Sequence, residues 1–494
     1  MEWSESPVAR ILDSEGMLPN WVGGSRRPAR AGERLEVINP ATEDRLAWVP
    51  LSGGADVEEA VAAAAAAFPA WRETPVVERA RVIFRLRALL EEHLEELAEL
   101  VSLENGKTLD EARGEVRRGI EVAEFASGIP TLMMGDAIEG ISRGIDATVH
   151  RYPLGVVVGI CPFNFPAMIP LWMVPIALAV GNTFVLKPSE RTPLSAMRLA
   201  QLLQKAGVPD GVFNLVHGAA ETAHKLITHP AVKAVSFVGS QPAAAKVYTA
   251  AAAAGKRVQA LGGAKNHMIV MPDCHLDKTR DAILSSAFGN AGERCLAGSV
   301  VVAVGDVGDR LVAALVEGAC RIRLGPGTEP GVQMGPLIRR QHCRRVEGYI
   351  ERGLAEGAQL VLDGRRAERP ERGIFLGPSI FDHVRPEMTI AREEIFGPVL
   401  AVIRAGSLDE AIEIANRSEL GNAASIFTQN GAAARTFRSR IEAGMLGVNI
   451  GVPAPMAFFP FTGWKGSFYG DLHATGRDAV EFYTEKKVTI TRWW

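Results

Sequence analysis

Apolar residues recur at three- and four-residue steps at Leu86, Leu89, Leu90, Leu94, Leu97 and Leu100, which predicts one long amphipathic helix facing a core. A further helix is predicted over 110–127. Short apolar runs follow at 155–161, 183–187, 212–216, 234–238, 268–271 and 299–304, and again at 399–403 and 423–427. Runs of that length, apolar throughout and separated by helical stretches, predict strands of open, mostly parallel sheets covered on both faces. The second such α/β unit spans roughly 261–450. The stretch 487–494 alternates like a strand, and its partner must lie elsewhere in the chain or in another subunit. The alanine-rich stretches 62–67 and 250–254 are helix formers rather than linkers.

From Tyr152 to Leu186 there is no charged residue, long enough in principle to cross a bilayer. Pro153, Pro162, Pro166, Pro170 and Pro175 interrupt it, so the expected reading is a buried strand, a turn, a buried helix over about 169–179 and a second strand.

With 494 residues the chain can bury more than one core, and a net charge of −3 offers no polycation for nucleic acid. Five cysteines in no CxxC spacing argue against a disulfide framework, and ten histidines without an HxxxH or HExxH pairing give no zinc site; no metal is expected. Residues 1–24 carry Glu2, Glu5, Asp13 and Glu15 around no apolar segment, which reads as neither signal nor transit peptide, so the cytoplasm is the expected compartment.

A GxGxxG turn is absent; Gly325-Pro-Gly-Thr-Glu-Pro-Gly331 has the wrong spacing. Two other strand ends could serve a dinucleotide. Lys187 and Glu190 follow one strand, and a carboxylate there accepts both ribose hydroxyls while repelling a 2′-phosphate, favouring NAD over NADP. Gly239 and Ser240 follow another, where backbone N–H groups and a hydroxyl at a helix start suit a pyrophosphate. Each run taken alone is as readily a surface turn.

In series the motifs say more. Pro162-Phe-Asn-Phe-Pro166, Lys187-Pro-Ser-Glu190, Phe237-Val-Gly-Ser240, Leu261-Gly-Gly263, Gly292-Glu-Arg-Cys295 and Glu393-Glu-Ile-Phe-Gly-Pro398 resemble, in order and over nearly the whole chain, the aldehyde dehydrogenase superfamily. The resemblance implies an α/β fold with three parts: a Rossmann-like parallel-sheet NAD domain (1–131 and 151–260), an α/β catalytic domain (261–450) and a small β oligomerisation arm (132–150 and 478–494) in a homotetramer. It implies Cys295 as nucleophile, Asn164 as the side-chain half of an oxyanion hole, and Phe163, Lys187, Glu190, Gly239, Ser240, Glu394 and Phe396 around NAD.

One position departs from the pattern. Where most of the superfamily has glutamate before Leu-Gly-Gly, this chain has Ala260, and no glutamate occurs between Glu221 and Glu293. A thioester on Cys295 would meet water without the usual general base, whereas an incoming thiol, partly ionised already, needs less help. Ala260-Leu-Gly-Gly-Ala-Lys-Asn-His267, Glu104-Asn-Gly-Lys107, Gly114-Glu-Val-Arg-Arg-Gly-Ile-Glu121 and 461–473 resemble the CoA-acylating methylmalonate-semialdehyde dehydrogenase branch. That resemblance implies oxidation of methylmalonate or malonate semialdehyde with NAD and coenzyme A, giving propionyl-CoA or acetyl-CoA and carbon dioxide, in valine and inositol breakdown. The partners expected are the small-molecule semialdehyde and CoA, with no nucleic acid and no membrane. The substrate carboxylate needs a cation, and Arg294 and Arg118, with Arg117 beside it, are the candidates. The competing readings are a hydrolytic enzyme, its base supplied by Asp273 or Glu293, and a non-catalytic protein on the same fold.

Overall fold

The computed structural model describes residues 7–494 except Ala31; Glu2 and Glu5 lie outside the described residues. Two sheets organise the chain. The first has a five-stranded parallel centre in the spatial order Phe213–Leu215, Thr183–Lys187, Val156–Ile160, Val232–Val238, Arg257–Leu261. Numbered along the chain this is 3-2-1-4-5, so the order reverses beside Val156–Ile160, and the carboxyl ends of these strands face the crevice where such sheets bind ligands. Antiparallel strands close its edges, Asn20–Val22 with Ser25–Arg27 at one side and Phe468–Tyr469 at the other. The second sheet runs Gln359–Leu362, Ser379–Asp382, Val399–Ala405, Gly298–Val304, Asn266–Val270, Ala423–Phe427, Met445–Val448, parallel except for its first pair.

The long uncharged stretch is a strand, the helix Met168–Ala179 and a strand, with every residue of that helix buried. Among the described residues no helix is long and apolar enough to cross a membrane. The long leucine-patterned helix is two helices, Val76–Glu92 and Leu94–Asn105, broken at His93 with φ −104° and ψ 19°. The apolar stripe continues across the break because Leu86, Leu90, Leu97 and Leu100 all reach one core, so periodicity could not reveal it. The C-terminal strand is Thr484–Arg492. Its partner lies in the same chain: it pairs antiparallel with Ile145–Pro153, from Thr484 opposite Pro153 to Arg492 opposite Ile145. Ala137–Ser142 completes this three-stranded arm.

Asn182 ties the arm to the first sheet. Its side-chain oxygen accepts the Leu154 and Gly155 N–H groups at 2.8 and 3.0 Å, and its amide donates to Ala177 O and Tyr483 O at 3.3 and 2.9 Å. All of this is buried, so Asn182→Ala strands several polar groups at once. The expected loss is about 2–4 kcal/mol in urea unfolding; a loss within error of zero would show that water replaces the amide.

Candidate active site

The nucleophile segment leaves the helix Leu276–Phe288 and must turn sharply before the strand Gly298–Val304. Asn290, Ala291 and Gly292 make the turn with φ of 50°, 51° and 74°, three successive left-handed residues. A Cβ on Gly292 would stand 2.3 Å from Gly397 O, so this position also needs glycine to admit the Glu393–Pro398 run. The strain is held by side chains. Glu111 Oε1 accepts Asn290 N–H at 2.6 Å and Arg294 Nη2 at 2.9 Å. Two amides grip the Cys295 carbonyl, Asn266 Nδ2 and Asn422 Nδ2, each at 2.9 Å.

Cys295 opens on a cavity of about 240 Å³. Arg294 and Arg118 line it too, with Phe165, Trp172 and Phe461 forming apolar wall. The two arginines differ in charge balance: Arg294 is paired with Glu111, whereas Arg118 Nη2 donates to the backbone oxygen of Pro455 at 2.8 Å. Arg117 points away, to Glu91. Burial pushes the Cys295 thiol up to about 12, with Glu394 acting in the same direction and Arg294 against it.

Asn164 is buried beneath the nucleophile segment and donates its amide to Glu293 O at 3.0 Å, leaving one amide hydrogen over. Its loop is held by the Glu104–Lys107 run: Asn105 Nδ2 donates to Phe163 O at 3.2 Å and Lys107 Nζ to Asn164 O at 2.8 Å. Lys107 in turn pairs with Glu115 at 2.6 Å, both fully buried.

The expected cofactor residues stand at the crevice of the first sheet. Lys187 ends its strand with Nζ 3.4 Å from Glu190 Oε2. Ser240 stands at the N-terminal end of the helix Gln241–Ala253 without a capping hydrogen bond from its side chain, and a Cβ on Gly239 would strike the Phe237 ring at 2.4 Å. Ser240 and Glu394 share a cavity of about 710 Å³ with Gln241, His267 and Arg345. Glu394 Oε1 accepts Ala264 N–H at 2.8 Å, and burial pushes its carboxyl up to about 7. Phe396 has φ +60°, its ring edge-on to Phe163 at 5.9 Å, and His342 Nε2 donates to its carbonyl at 2.6 Å. A strained non-glycine residue here marks a place where the surrounding structure dictates the backbone.

Residues 27–489 match the aldehyde dehydrogenase family. The chain belongs to that family. Over 476 residues, covering 96% of this chain and 99% of the relative, it is 60% identical to malonate-semialdehyde dehydrogenase 2 of Geobacillus thermodenitrificans. It is similar to the crystal structure of a methylmalonate-semialdehyde dehydrogenase from Oceanimonas doudoroffii, with TM-score 0.95 and 48% identity, covering 97% of this chain and 98% of that one. It also resembles the NAD+ complex of an aldehyde dehydrogenase from Bacillus cereus, with TM-score 0.93 and 36% identity, covering 98% of each chain.

For an aldehyde dehydrogenase the surroundings of Ala260 matter. Ala260 is fully buried, in an apolar cluster with Phe237, Val247 and Val258. Asp273 accepts Thr428 Oγ1 and Gln429 N–H, and sits beyond the end of the strand Asn266–Val270 opposite to Asn266, which touches Cys295. Glu293 is fully buried, bonded to Ile338 N–H and 3.5 Å from His342 Nε2, and burial holds its carboxyl far above the usual range. Neither is placed as an ionised base beside the thiol. Among the described residues no group of His, Cys, Asp and Glu could hold a metal. Sequence reasoning missed Glu111, Glu115, Asn266 and Asn422. Glu115 and Asn266 stand inside runs that carry the family resemblance, and Asn266, a polar residue opening an apolar strand, was the better signal.

A thiol pushed that high is protonated at neutral pH when no ligand is bound. Alkylation of Cys295 by iodoacetamide, followed by peptide mass spectrometry with exposed Cys320 as internal reference, is expected to be slow at pH 7 and to rise about tenfold per pH unit to pH 10. A plateau by pH 8 would mean that a thiolate is already stabilised.

Proposed function

We propose that this aldehyde dehydrogenase oxidises malonate or methylmalonate semialdehyde with NAD and delivers the acyl group to coenzyme A, with loss of carbon dioxide. The observation that carries this is one cavity holding Cys295 and two arginines; at the position where the family resemblance expects a general base the chain has Ala260. The names of the relatives support the semialdehyde, and the carboxylate such a substrate carries matches Arg118 and Arg294.

NAD fits the crevice: the Ser240 helix start suits the pyrophosphate, Lys187 and Glu190 the adenosine ribose, and Glu394 with Phe163 and Phe396 the nicotinamide end. A bound NAD supplies a hydride acceptor. The chain does the rest. The arginines hold the carboxylate so that the aldehyde carbon faces Cys295 Sγ. Cys295 gives up its thiol proton to water in the cavity, the sulfur adds to the carbonyl as thiolate, and the Cys295 N–H and the Asn164 amide take the developing oxyanion. Once hydride has left, the acyl group is a thioester on Cys295. Its β-carboxylate departs as carbon dioxide, and the electron pair is held as the thioester enolate until a proton arrives. The CoA thiolate then attacks the carbonyl and frees Cys295.

The arm supports self-association as a homotetramer: Ile138, Val488 and Ile490 stand 59%, 67% and 59% exposed on it. The reading places the enzyme in the cytoplasm, in valine or inositol breakdown.

Mixing enzyme, NAD and semialdehyde without CoA should give one equivalent of NADH and then a stall, relieved when CoA is added. Steady NADH formation with free acid as product would instead establish hydrolysis, and Glu121, a cavity carboxylate with no ion pair among the described residues, would be the base to test.

Arg294 shares its charge with Glu111, whereas Arg118 has only a carbonyl partner. Arg118→Leu is therefore expected to cost the semialdehyde about 2–4 kcal/mol in kcat/KM, more than Arg294→Leu, while propanal changes little. Equal losses for both aldehydes would remove these arginines from carboxylate recognition.

A further inference from the structure

Six charged side chains line the cavity on which Cys295 opens: Lys107, Glu111, Glu115, Arg118, Glu121 and Arg294. Four of them neutralise one another, Lys107 with Glu115 at 2.6 Å and Arg294 with Glu111 at 2.9 Å. Arg118 has only the Pro455 carbonyl as partner, at 2.8 Å. Glu121 has no hydrogen bond and no ion pair among the described residues. The cavity therefore presents one cation and one anion whose charges nothing in the protein offsets.

Their order follows from the helix Leu109–Ser127, which carries Glu111, Glu115, Arg118 and Glu121. Three- and four-residue steps put these four on one face. Glu111 marks the nucleophile end, because it accepts Asn290 N–H and Arg294 Nη2. With a rise of about 1.5 Å per residue, Arg118 stands about 10 Å beyond Glu111 along the axis, and Glu121 about 4.5 Å beyond Arg118. A carboxylated aldehyde whose carbonyl faces Cys295 thus meets Arg118 first. Each added methylene carries its carboxylate past Arg118 toward Glu121.

We propose that Glu121 is a specificity-determining residue, a fixed negative charge that rejects carboxylated aldehydes with a longer backbone than the three carbons of malonate semialdehyde. This rests on the carboxylate role proposed for Arg118. Discrimination of this kind works by placing a repulsive group where only the wrong ligand reaches it. The longer carboxylate finds no other seat along the wall, because Trp172 and Phe461, with ring centroids 4.7 Å apart, offer apolar surface on which an unpaired charge is costly. The same surface accepts the methylenes of an uncharged aldehyde. Charge, not length, is what the cavity refuses.

The test measures kcat/KM with NAD and CoA for malonate and succinate semialdehydes and for the uncharged propanal and butanal. The natural enzyme is compared with Glu121→Gln, Glu121→Asp and Arg118→Leu, with thermal unfolding as the check on folding. Glu121→Gln should raise the ratio of succinate to malonate semialdehyde about fivefold to tenfold, the scale of one half-exposed like-charge contact. The ratio of butanal to propanal should stay at its natural value. Glu121→Asp, which keeps the charge, should keep most of the discrimination. If the succinate-to-malonate ratio does not rise in Glu121→Gln, or the butanal-to-propanal ratio rises with it, the charge filter is overturned. The same holds if Glu121→Gln lowers all four aldehydes by one factor, which would make Glu121 part of the reaction or of the fold. If Arg118→Leu lowers malonate semialdehyde and propanal alike, the carboxylate role of Arg118 fails. The comparison of succinate semialdehyde with butanal in Glu121→Gln still reads whether Glu121 repels a carboxylate.

Discussion

The site hangs on one buried ion pair. Lys107 and Glu115 meet at 2.6 Å with side chains 1% and 0% exposed, so neither charge sees water. Such a pair is tolerated only if the remaining donors and acceptors are also met. Here they are. Lys107 gives a hydrogen bond to Asn164 O and lies 4.2 Å over the Phe165 ring, while the other Glu115 oxygen takes the Ala167 and Met168 N–H groups at the start of the helix Met168–Ala179, where the helix dipole favours an anion. Loss of either partner would leave a bare charge in the core and release the loop that presents the oxyanion amide.

From that anchor two sheets deliver the reacting groups from opposite directions. The first sheet ends its central strand at Ile160 and hands over Asn164; the second begins one strand at Asn266 and another at Gly298, shortly after Cys295. The nucleophile therefore lies in the connection between the helix Leu276–Phe288 and the strand Gly298–Val304. Its left-handed turn is affordable only because Glu111, Asn266, Asn422 and the close passage of Gly397 all hold it.

The sheets were legible in the sequence because strands buried on both faces are apolar without interruption. Ala423–Phe427 and Thr183–Lys187 coincide with the expected spans, the other expected apolar strands shift by a residue or two at their ends and the terminal strand by three, while Arg257–Leu261, Gln359–Leu362, Ser379–Asp382 and Met445–Val448 were not expected. What was not legible depends on chain geometry rather than side-chain character. The break at His93 leaves the leucine pattern intact, and the partner of the last strand lies more than three hundred residues away. The same divide runs through the site. Cys295, Asn164, Arg118 and Arg294 stood out by motif, and the structure places them around one turn and one cavity. Glu111 closes a capping box with Thr108 at the start of its helix, and nothing local says that its other oxygen reaches the nucleophile segment. Lys265 likewise reads as an ordinary polar residue until its burial is known.

The high pKa of Cys295 has a further meaning for the life of the enzyme. Peroxide attacks thiolates, and the oxidation ladder from sulfenic to sulfonic acid is climbed by sulfurs that are both ionised and accessible. A resting nucleophile kept as a protonated thiol is poorly nucleophilic toward such oxidants, even where, as here, it opens on a cavity. The desolvation that keeps the sulfur protonated between turnovers thus also slows the first step of that ladder.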